Sequence, residues 1–71
     1  MISYKPLLNY MLDNNIPIGY LNRKLSINPT VTAKFRKGEY VHLEIIERIC
    51  NHFKIPIEQV IEIVIVDDSK E

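Results

Sequence analysis

Short apolar periodicities, each interrupted by Pro, Gly or Asn, divide this chain into helical segments, with no repeat, linker or low-complexity stretch between them. From Lys5 to Asp13, Leu7, Leu8, Met11 and Leu12 fall on one helical stripe, Pro6 is tolerated in the first turn, and Asn14-Asn15 closes the segment. Pro17 opens a second, short helix running to about Ser26, with Ile18, Leu21 and Leu25 inward and Arg23 and Lys24 outward. The third segment has the clearest punctuation: Asn28 is an N-cap, Pro29 suits the first helical position, and Gly38 stops the helix after Lys37. Its inward face is Val31, Thr32 and Phe35, joined by Ile27. A fourth helix, Leu43 to Phe53, buries Leu43, Ile46, Ile49, Cys50 and Phe53 and turns Glu44, Glu47, Arg48 and Asn51 to solvent, with Glu44 and Arg48 spaced as an i, i+4 ion pair. Pro56 starts a fifth helix to about Ile61, with Ile57, Val60 and Ile61 inward. Ile63-Val64-Ile65-Val66, β-branched throughout, reads as a strand, and Met1-Ile2-Ser3 is its candidate partner. The pattern therefore predicts a mainly α, five-helix fold with a short C-terminal strand able to pair with the N-terminus.

At 71 residues there is room for one domain spanning 1–71, with a frayed tail over 67–71. A single cysteine, Cys50, excludes an internal disulfide, and Lys5, Pro6 and Asp13 interrupt any N-terminal apolar stretch that could serve as a signal peptide. No run approaches the roughly 18 apolar residues of a spanning helix. No membrane partner is expected, and a reducing cytoplasm is the expected compartment.

Charge changes the picture more than composition does. The chain is formally neutral, yet Asn14 to Gly38 carries five bases, Arg23, Lys24, Lys34, Arg36 and Lys37, and no acid. Eight of the nine acids lie from Glu39 onward, against three bases there. A folded unit with that distribution presents one positive face to a polyanion. On the third helix, Thr30, Ala33, Lys34 and Lys37 recur at i, i+3, i+4 and i+7 on the side opposite Phe35, a stripe that is short near its start and cationic near its end.

Two short helices joined by a tight turn, the second showing small polar residues and lysines outward, form the arrangement that sets a recognition helix into a DNA major groove. The stretch "LNRKLSINPTVTAKF" followed by "KGEYVHLEIIERICNHF" resembles the helix-turn-helix of the Cro and lambda-repressor type. The opening "MISYKPL" and the pattern "YVxLExxExIC" are similar to a subgroup of very small bacterial and prophage regulators. The resemblance implies a repressor-like five-helix core and a DNA-binding transcriptional regulator acting as a homodimer on a two-fold double-stranded operator. Four departures stand out. Ser26 takes the place of a Gly in a turn that favours a left-handed backbone, Pro29 replaces a Gln or Ser that reaches a base edge, and Thr32 sits where Ile or Val is usually buried. His42, in addition, stands where a Ser often caps helix four.

On this reading Lys34, able to donate to guanine O6 and N7, is the leading base contact; Thr30 can touch a base edge, and Ala33 leaves room for a thymine methyl. Arg23, Lys24, Arg36, Lys37, the backbone at Gly38, and Tyr40 are assigned to phosphate, where they set affinity and register. Tyr20 flanks the same surface and reads equally as a packed aromatic. Ile63, Val64, Ile65 and Val66 form the expected dimer interface, because all four are apolar although alternate residues of a strand face opposite ways. Cys50, His42 and His52 are too few, and wrongly spaced, for a zinc finger, so no metal or cofactor is expected. No phosphate loop or nucleophile constellation is present, and no enzyme is expected. The alternative is a protein-interaction module that keeps the helix-turn-helix fold but binds another regulator, as an antirepressor or antitoxin does; formal neutrality and Pro29 lean that way.

Overall fold

A computed structural model describes residues 1–66, so the tail expected to fray over 67–71 lies outside the described residues. Four α-helices follow a first strand: β1 (Ile2–Ser3), α1 (Lys5–Asp13), α2 (Gly19–Lys24), α3 (Pro29–Lys37) and α4 (Leu43–Phe53). A 3-10 turn at Ile57–Gln59 and β2 (Glu62–Ile63) complete the described chain. The bounds of α1, α3 and α4 are those the sequence pattern predicts. Each has a local cause: Pro6 in the first turn of α1 with the Asn14 side chain donating to the Tyr10 carbonyl at 2.8 Å, and Gly38 ending α3 with φ +72°. Asn15 follows in the left-handed region at φ +57°.

Two expectations about the elements are corrected. The predicted fifth helix is only the 3-10 turn at Ile57–Gln59, so the described fold has four helices. The β-branched Ile57, Val60 and Ile61 lose side-chain freedom in a helix, and few residues separate Lys54 from β2. The strand expected over Ile63–Val66 is shorter and shifted: Ile63 pairs antiparallel with Ile2, and Glu62 with Ser3. The Val64 amide still donates to the Met1 carbonyl at 2.8 Å, and the ladder closes there. Ile65 and Val66 have no facing strand among the described residues.

The core lies where the four helices and the N-terminal strand converge, with Leu7, Leu21, Phe35, Ile46, Ile49 and Val60 at most 1% exposed. Tyr4, which the helical periodicity did not pick out, belongs with them. Its ring packs edge-on against Phe35 with centroids 4.9 Å apart, and its hydroxyl donates to the Glu39 carbonyl at 2.8 Å. The N-terminal strand is thereby pinned to the loop that follows α3. Leu12 and Leu43, both expected inside, are 75% and 71% exposed. Leu12 lies about 140° round α1 from Leu7, off the buried stripe. Leu43 opens α4 and overhangs the core, lining with Ile46, Cys50, Ile55 and Ile57 an apolar groove of about 610 Å³ rimmed by Glu44 and Glu47. Cys50 is half-buried in that groove, and burial, reinforced by the Glu58 carboxylate, raises its thiol pKa.

Candidate nucleic-acid interface

The turn between α2 and α3 fixes how the third helix is presented, and hydrogen bonds from both neighbouring helices and from α4 hold it. Asn28 has extended backbone, and its side-chain oxygen accepts from the Thr30 amide at 2.8 Å, which satisfies one of the orphan donors at the helix start. Ser26 sits at φ +57°, so the left-handed conformation usual for Gly is kept with a Cβ in place. The Leu25 carbonyl, left open where α2 ends, accepts from the guanidinium of Arg48 on α4. Arg48, expected to pair with Glu44, is committed to this carbonyl instead.

A second device was not legible in the pattern. Asn22 on α2 donates through Nδ2 to the Ile27 carbonyl at 2.9 Å and to the Thr32 hydroxyl at 3.2 Å. Thr32 in turn donates to the Pro29 carbonyl at 3.0 Å. Thr32, only 6% exposed, is thus matched by a polar partner, Asn22, across the helix pair. The clue available in the sequence was that both positions are polar on otherwise apolar inward faces. With these bonds made, no buried side-chain nitrogen or oxygen among the described residues lacks a partner.

By contrast, the outward side chains of α3 make no hydrogen bond among the described residues. Thr30 and Lys37 are exposed, and Ala33 and Lys34 are half-buried. Two shallow grooves flank the helix. One, about 370 Å³, is lined by Ile18, Pro29, Thr32, Ala33, Arg36 and Lys37; the other, about 190 Å³, holds Lys34 with Val31, Tyr40, Val41, His42 and Ile45. Tyr40 is 80% exposed beside Lys34. The structure therefore brings Ala33, Arg36 and Lys37 together along one flank and Lys34 and Tyr40 along the other.

Arg23 and Lys24 occupy the last turn of α2 and line neither groove; the Arg23 guanidinium folds back over Gly19, where an added Cβ would lie 3.1 Å from Nη1. Gly38 donates its own amide to the Lys34 carbonyl at 2.9 Å, so its backbone can offer a phosphate close approach but not that proton. Tyr20 is a packed aromatic: its hydroxyl lies 2.8 Å from His52 Nε2, and its ring stacks on Phe53. His42 begins α4 without a side-chain cap bond. Ile18, placed inward by the periodicity, turns out also to wall the groove beside Ala33. Among the described residues, no group of three or more His, Cys, Asp or Glu is placed to hold a metal, and no helix is long and apolar enough to cross a membrane.

Comparison with known proteins agrees with this geometry. The family model of the Cro/C1-type helix-turn-helix DNA-binding domain matches residues 6–65. Among solved structures, the fold is similar to the crystal structure of the transcriptional regulator VanUg, form II, with a TM-score of 0.81 and 26% sequence identity over 86% of this chain and 81% of that one. No curated protein sequence matches the chain. A match spanning α1 to β2, together with a capped third helix whose outer face is free and cationic, shows that the chain belongs to the Cro/C1-type helix-turn-helix DNA-binding family.

Proposed function

We propose that residues 1–71 act as a single-domain, sequence-specific transcriptional regulator that inserts α3 into the major groove of an operator. The observation that carries this reading is the free outer face of α3, flanked by basic residues in a stretch of chain without a single acid. Lys34 is the leading base reader, with Thr30 and Ala33 beside it, and Asn28 fixes the start of the helix they stand on. Arg36, Lys37 and Tyr40, with the close backbone approach at Gly38, meet phosphates on the two flanks; Arg23 and Lys24 contribute at longer range from the end of α2. The similarity to a protein named as a transcriptional regulator supports the same role.

The regulator works as a homodimer in this reading. Ile63, Val64, Ile65 and Val66 are all exposed; Ile63 lies on β2, whose other edge faces no strand among the described residues, and the next three continue from it as an apolar run that a second copy would cover. A two-fold through these segments sets two recognition helices about 34 Å apart, one turn of DNA. Selecting duplexes from a random pool should return a two-fold symmetric site. Ile65→Lys should lower the mass seen by light scattering from dimer to monomer and weaken binding to that site, and a wild type that stays monomeric at high micromolar concentration would remove the dimer from the account.

The alternative, a module that binds another regulator, draws on the 610 Å³ apolar groove at α4 and the 3-10 turn. It requires no measurable DNA binding even at low salt.

A further inference from the structure

The groove walled by Ile18, Pro29 and Ala33 bears on which bases the protein reads, given the DNA-binding reading above. From Pro29 to Lys37 there is no Asn, Gln, Asp or Glu, so α3 lacks the amide that pairs bidentately with adenine and the carboxylate that accepts from cytosine N4. The Thr32 hydroxyl is already spent on the Pro29 carbonyl and on Asn22. With Arg36 and Lys37 assigned to phosphates, hydrogen-bond readout from the helix is left to Thr30 and Lys34. What stands beside them is apolar: Pro29 in place of a polar reader, Ala33 one turn later, and the Ile18 side chain projecting from the start of α2. Arg36 and Lys37 line the same groove, and no acid among the described residues does. Cations at the rim suit phosphates, and an apolar floor suits the one apolar mark that a base pair shows in the major groove, the thymine 5-methyl.

We propose that Ile18, Pro29 and Ala33 form a thymine-methyl reader, so that part of the sequence specificity comes from α2 and from apolar contact rather than from hydrogen bonds on α3 alone. Each half-site then contains at least one thymine whose methyl enters this groove. Replacing thymine by uracil removes that methyl and leaves the hydrogen-bonding edge unchanged.

The test is a thymine-to-uracil scan across the selected operator with the wild-type protein, measured by fluorescence anisotropy, and repeated with Ile18→Ala. One thymine per half-site should weaken wild-type binding about fourfold on substitution, the loss expected for unburying one methyl-sized group. With Ile18→Ala the same substitution should cost less than about twofold, while the salt dependence of binding to random duplex stays unchanged. An operator without thymine, or one bound equally well with uracil throughout, overturns the proposal. So does a uracil effect that Ile18→Ala leaves intact, since the methyl would then be read elsewhere. If Ile18→Ala does not fold, by circular dichroism, the wild-type scan alone still decides whether a methyl is read, and Ala33→Gly takes its place for locating it. Absence of binding to any duplex is a separate result that refutes the DNA-binding reading itself.

Discussion

The outer face of α3 and the groove between α4 and the 3-10 turn are both open to solvent, and they are built from opposite chemistry. The first stands in a stretch with five bases and no acid, while the second is floored by Leu43, Ile46, Ile55 and Ile57 and rimmed by Glu44 and Glu47. Formal neutrality hides this contrast, because it averages a positive half against a negative one. Net charge is a poor guide to partners when the charges are segregated. A second difference lies within α3 itself. Its inner face is held by Phe35 in the core and by the Asn22–Thr32 bond, whereas its outer side chains make no hydrogen bond among the described residues. A helix fixed on one side and free on the other is suited to presenting a rigid surface to a partner.

That contrast can be broken most severely from the inside. Phe35→Ala should cost about 3–5 kcal/mol of stability, because a ring 1% exposed and packed on Tyr4 leaves a cavity, and thermal melting should show it. Lys34→Ala, on the opposite face, should leave the melting temperature unchanged and weaken operator binding by about 1–3 kcal/mol, with little effect on random DNA. Equal losses on both DNAs would reassign Lys34 to a phosphate. Asn28→Ala removes the cap and should cost about 1 kcal/mol of stability. Its effect on operator binding, measured where the variant is fully folded, should be smaller than that of Lys34→Ala.

The mildest perturbation concerns the clasp beneath α3. Burial raises the Tyr4 pKa above its ordinary 10.0. The folded state therefore holds the phenolic proton more tightly than the unfolded chain, so this contribution to stability is intact below pH 10.0 and is lost as pH rises beyond it. Tyr4→Phe should cost about 0.5–1.5 kcal/mol at neutral pH through the lost bond to the Glu39 carbonyl, and should flatten the alkaline decline in a pH series of melts.

How much of this was legible in the sequence depended on whether the cause was local. The bounds of α3 follow from Asn28, Pro29 and Gly38, which act within one turn, and the left-handed turn at Ser26 was readable from its place in the motif. The 3-10 turn reads as a helix because Pro56 gives the same start signal for both, and how far the turn extends depends on what Val60 must bury. Long-range partners left no local trace. Arg48 reaches a carbonyl 23 residues back, and Tyr4 one 35 residues ahead. Ile18 looked like core because periodicity reports which face is apolar, not what lies opposite it.

The central claim, that the acid-free half of the molecule meets DNA, is tested most directly by titrating binding to a random duplex with salt. Contacts from Arg36 and Lys37, with smaller contributions from Arg23 and Lys24, predict that log K falls with log salt at a slope of about −2 or steeper per protomer, near −0.9 for each phosphate neutralised. Arg36→Ala and Lys37→Ala should each reduce the slope by about 1. A protein that shows no binding at low salt, or binds with a slope near zero, would contradict the account.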